Sequence, residues 1–199
     1  MPNLTDLTGL ASSASAIITA LAMIPAVAQL PNKHLSATLS AAFVLVLLPF
    51  GELPLAGYLR GVTGDLSITT MVLLWHVLLK TSKLFVIDVQ QRNELMMTVA
   101  GVALIFYPFA LGISLEDPYR TGYGNPLLIV TLLVVALVAT FRKSTLIALC
   151  TTLAVLAWSI GWYESTNLWD YLIDPFISIY AIWIFIAAKL KSRFSVSKQ

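Results

Sequence analysis

"GELPLAGYLRGVTGDLSITT", residues 51–70, places Glu52, Arg60 and Asp65 inside an otherwise apolar chain. Leu53, Leu55, Tyr58 and Leu59 make the stretch too apolar for a freely solvated loop. It reads as a hinge in or near a low-dielectric boundary, where a charge is costly unless paired or hydrated. The apolar run that follows, from Gly61 to Leu79, is expected to be one continuous helix.

The rest of the chain repeats the pattern. Of 199 residues, 58% are hydrophobic and only 11% charged, against about a quarter in an average soluble domain. Mean hydropathy is +0.86. Apolar segments run from about 7–30, 35–50, 61–79, 93–114, 126–141, 144–163 and 171–190. They are too long and too continuous for alternating strands. The expected fold is therefore all-α, a polytopic transmembrane helical bundle of about seven spans in a single integral membrane domain.

Basic residues orient such a bundle, because Lys and Arg favour the cytoplasmic side. With the N-terminus outside, ten of the twelve basic residues fall inside and only Arg60 and Arg120 lie outside. The expectation is N-out and C-in, in a plasma membrane of the bacterial inner-membrane kind, as part of the cell envelope. "MPNLTDLTG" (1–9) has no basic region ahead of its apolar stretch, so the first segment is expected to be retained rather than cleaved.

The composition also excludes functions. A net charge of +2 without a basic run outside the C-terminal tail gives no footprint for nucleic acid. One cysteine, Cys150, and two histidines, His34 and His76, are too few for a conventional zinc centre. No HExxH, GxSxG or phosphate-cradling glycine loop occurs. No cofactor and no metal are expected.

Glu52, Arg60, Asp65 and, from the start of the last segment, Asp174 form the candidate extracytoplasmic polar site. Arg60 could simply tie the hinge down through Glu52 or Asp65. Alternatively, it could hold an anionic group bidentately while a carboxylate handles a cation or a proton. Asp174 precedes Pro175, a helix-start signature with Asp as N-cap. Secondary candidates are Thr69 and His76, on one arc with Asp65 if the helix is continuous, and Asp170, Glu116 and Arg120 near the same boundary.

"LRGVTGDLS" (59–67) is similar to an Arg/Gly…Asp-Leu-Ser stretch in the membrane part of envelope phosphotransferases of the lipoteichoic-acid-synthase type. It covers nine residues, and the family's large extracellular catalytic domain has no counterpart in these 199. Three functions stay open. The first is a non-enzymatic partner, assembly or lipid-binding component, whose partners are the bilayer, a lipid head group or another membrane protein. The second is a membrane-embedded enzyme acting on an envelope lipid or isoprenoid-phosphate carrier. The third is a proton-coupled small-molecule transporter using the Asp65–His76 stripe.

Overall fold

The structure is a computed structural model that describes residues 4–79, 86–113, 115 and 117–196. Among them the chain forms α1 (Leu4–Ala22), α2 (Pro25–Ala28), α3 (Asn32–Leu47), a short hairpin β1 (Pro49–Phe50) and β2 (Leu53–Pro54), α4 (Leu55–Thr63) and α5 (Ile68–Leu79). It continues as α6 (Val89–Ala110), a 3-10 helix (Pro118–Gly122), α7 (Pro126–Phe141), α8 (Thr145–Ser159), α9 (Leu168–Leu172) and α10 (Pro175–Val196). The hairpin pairs Pro49 with Pro54 and Phe50 with Leu53 in antiparallel register.

Two apolar clusters hold these elements. A smaller one gathers Ala14 and Ile18 of α1, Val46 of α3 and Ala56 of α4. A larger one joins Ile68 and Val72 of α5, Met96 and Phe106 of α6, Cys150 and Ala154 of α8, and Tyr171 of α9, with Ala181 of α10. α5 links the two, since its far end brings Leu78 against the smaller cluster.

The helical class stands, but the seven-span bundle does not. Among the described residues only α6, with 22 residues, is long and apolar enough to cross a bilayer by length and composition. α5, α7 and α8 have 12, 16 and 15 residues. At 1.5 Å per residue these reach about 18, 24 and 23 Å, short of a hydrocarbon core of about 30 Å. The multi-pass topology falls with the count, and so does the N-out, C-in orientation that rested on seven crossings.

The physical reason lies in local breaks that hydropathy does not register. The segment 7–30 divides ahead of Pro25 into α1 and α2, because proline removes a backbone donor and restricts the residue before it. The segment 61–79 divides at Gly64, whose φ of 70° and ψ of −164° no ordinary residue adopts comfortably. The segment 171–190 divides at Ile173, extended at φ −141° and ψ 149°, between α9 and α10. Where the punctuation lay at both ends, the expected limits hold: α7 covers 126–141, with the Asn125 side chain accepting from Leu127 N–H and Pro126 opening the helix.

Candidate functional site

Arg60 lies in the last turn of α4. α4 packs on α1, and the turn at Gly64 brings the chain back so that Asp65 faces the guanidinium. Arg60 Nε donates to Asp65 Oδ1 at 2.7 Å and Nη2 to Oδ2 at 3.2 Å, a bidentate pair. Nη1 donates to Asp6 Oδ1 at 3.3 Å, and Nη2 lies 3.4 Å from Glu164 Oε1. One guanidinium thus meets three carboxylates from three separate parts of the chain. The Arg60 and Asp65 side chains are 17% and 15% exposed, whereas that of Glu164 is 61% exposed. The hydrogen bond to Asp65 raises the Arg60 pKa above the ordinary arginine value against the opposing effect of burial, and the charges of Asp65 and Glu164 add to the rise.

Gly9 allows this pair to form. A Cβ there would overlap Arg60 Nε and Asp65 Oδ1, so α1 presents bare backbone where the ion pair lies against it. A cleft of about 610 Å³ opens beside the pair, lined by Asp6, Leu10, Leu53, Gly57, Arg60 and Glu164.

Asp174 belongs to a different arrangement. Its Oδ1 accepts from the N–H groups of Phe176 and Ile177 at 2.9 and 3.0 Å, capping α10. Its Oδ2 accepts from Ser67 N–H at 2.9 Å and from the Ser67 hydroxyl at 2.8 Å, with the Thr70 hydroxyl as a third donor. The carboxylate is buried at the starts of α5 and α10, where both helix dipoles favour a negative charge. It is a structural clamp with its acceptor sites filled.

Glu52 stands apart from both. It is exposed in the β1–β2 turn and makes no ion pair among the described residues. The expected convergence of Glu52, Arg60, Asp65 and Asp174 on one pocket therefore reduces to Arg60 and Asp65. The expected polar stripe also breaks, because Asp65 precedes α5 instead of lying on it. Thr69 is buried and donates to the Leu172 carbonyl, while His76 is half-buried two turns further along α5.

The remaining candidates lie on the loop side of the larger core. Asp170 accepts from the Tyr119 hydroxyl at 2.9 and 3.1 Å and from the Ser165 hydroxyl. Asn167 donates to the Tyr119 carbonyl at 2.9 Å, and Trp169 donates from Nε1 to the Pro118 carbonyl at 3.0 Å. These bonds fasten the 3-10 helix to α9. Arg120 is exposed on that 3-10 helix, and Glu116 lies outside the described residues.

Asp6, Glu164 and Gly9 are the members of the cluster that sequence reading leaves unassigned. Nothing local in the sequence ties Asp6 or Glu164 to an arginine 54 or 104 positions away. Among the described residues no group of His, Cys, Asp and Glu is arranged to hold a metal ion. No protein-family model matches the chain, and no match is found among the curated proteins or the solved structures.

Proposed function

We propose that the protein is a membrane-associated binding component whose Arg60-centred cluster receives a basic side chain from another protein. The observation that carries this reading is Glu164. It touches Arg60 through one oxygen at 3.4 Å, stays 61% exposed, and stands at a cleft with acidic side chains on its wall. A lysine or arginine entering the cleft would meet an exposed carboxylate on a wall that also carries Asp6 and Asp65, a surface complementary to positive charge. Arg60 is already held bidentately by Asp65, so its fork is occupied in the ground state. This weighs against its use as the phosphate clamp of a lipid-modifying enzyme. The break between Asp65 and α5 weighs against a proton path along that helix.

Association with the membrane draws on the apolar surface and on α6. A basic peptide titrated against the full chain in detergent, followed by fluorescence anisotropy, tests the docking reading. Binding should weaken as salt rises and fall by about fivefold in Glu164→Gln, in line with the roughly 1 kcal/mol of a partly exposed charge pair. Salt-independent binding, or equal binding by the variant, would refute it. A co-purifying phosphorylated lipid lost in Arg60→Ala would favour the enzymatic reading instead.

A further inference from the structure

α3 and α5 both pack against α1 and leave a cleft between them of about 650 Å³. Its floor and walls are apolar: Ile18 of α1, Leu35, Leu39 and Phe43 of α3, and Trp75 and Leu78 of α5. Polar groups line one flank through Ser36 and Ser40, and Lys33 stands at the end where α3 begins. From Lys33 to Val44 the groove follows 11 residues of helix, about 16 Å. Among the described residues Lys33 forms no ion pair.

We infer that this groove holds one acyl chain of an anionic phospholipid, with Lys33 meeting the head-group phosphate. Three features select that occupant. The volume falls within the range of small-ligand pockets, roughly 300–1,000 Å³, so it suits a single chain better than a protein helix. The lining is mainly apolar, with Ser36 and Ser40 on one flank, and cationic at one end, which is the polarity of a lipid with a negatively charged head. The positive end of the α3 dipole lies at the same end as Lys33, and the two fields add. The groove is also remote from the Arg60 cluster, since Ile18 stands 12 residues along α1 from Asp6, about 18 Å. The two sites can therefore succeed or fail separately.

The test is native mass spectrometry of the full chain in detergent, incubated with phosphatidylglycerol or phosphatidylcholine. The chain should retain one phosphatidylglycerol in preference to phosphatidylcholine. Lys33→Gln should reduce that preference by about fivefold, the worth of one basic residue at an anionic lipid surface. Ser40→Trp, at an exposed position on the groove wall, should displace both lipids while leaving the helical circular dichroism unchanged. Phosphatidylglycerol with brominated acyl chains should quench tryptophan fluorescence, and Trp75→Phe should remove most of that quenching. Equal retention of the two lipids, unchanged retention in both variants, quenching unaffected by Trp75→Phe, or a lipid-free dimer occupying the face would each overturn the inference.

Discussion

Gly9 shows how much one hydrogen atom can decide. Any side chain there enters the volume held by Arg60 Nε and Asp65 Oδ1, and α1 cannot withdraw without leaving Ala14 and Ile18 unpacked. Gly9→Ala should therefore destabilise the fold by about 1–3 kcal/mol, the usual cost of overpacking, read as a lower thermal midpoint in detergent. A midpoint equal to wild type would mean that the ion pair does not lie against α1. Asp174 makes the complementary case. Replacing it by alanine strands the buried donors of Ser67 and Ile177 and the part-buried N–H of Phe176, and the expected loss is about 2–4 kcal/mol. Thermal unfolding of Asp174→Ala would show whether that clamp is as strong as its geometry. Half of the clamp was legible in advance, because Asp followed by Pro marks a helix start. The other half was not, because Ser67 lies 107 positions away and no local pattern announces its approach. The same limit applies to Arg60, whose nearby partner Asp65 was legible and whose distant partners Asp6 and Glu164 were not.

At the scale of elements, what was legible was helical character, and what was lost was continuity. Hydropathy averages over a window and passes smoothly through Gly64, Pro25 and Ile173, yet each of these ends a run of backbone hydrogen bonds. The residues freed by the breaks build the connections that matter most: Asp65 follows one, and Asp174 follows another. The segment joining α8 to α10 illustrates the gain. Tyr171 donates its hydroxyl to the Ser165 carbonyl at 2.9 Å and accepts from Tyr163 N–H at 3.0 Å. Burial pushes the phenols of Tyr119, Tyr163 and Tyr171 above their ordinary 10.0, with Asp170 adding to the rise at Tyr119 and Asp65 at Tyr163. Above pH 10 the unfolded chain then loses phenolic protons that the folded chain keeps. Stability is thus full below pH 10 and falls as pH rises from there toward the folded values. A tyrosinate absorbance titration should show a late-titrating fraction that disappears when the chain is first denatured. If all seven tyrosines ionised together near pH 10 in the folded protein, this packing would be wrong.

The whole molecule poses the question of what covers its surface. α7 buries Leu128, Leu132 and Ala139, yet exposes Leu127, Val130, Leu133, Val134, Leu137 and Val138 on its other side. Its exposed hydroxyls turn inward: Thr131 donates to the Leu127 carbonyl at 2.7 Å and Thr140 to the Ala136 carbonyl at 2.8 Å. That habit suits an apolar medium, where a side-chain hydroxyl has no water to bond and uses its own helix. α10 adds Phe176, Ile179, Tyr180 and Trp183, and α6 adds Met97, Leu104 and Ile105. Monomeric soluble proteins rarely expose contiguous apolar patches beyond a few hundred Å². We propose lipid as the covering, because α6, α7 and α10 each carry several exposed large apolar side chains. The number of crossings does not enter this prediction, because short apolar helices can be embedded without spanning. Membranes from expressing cells should keep the chain through washes with high salt, and it should enter the detergent phase on Triton X-114 partitioning. Release by salt together with recovery in the aqueous phase would mean that another protein, and not lipid, covers α7.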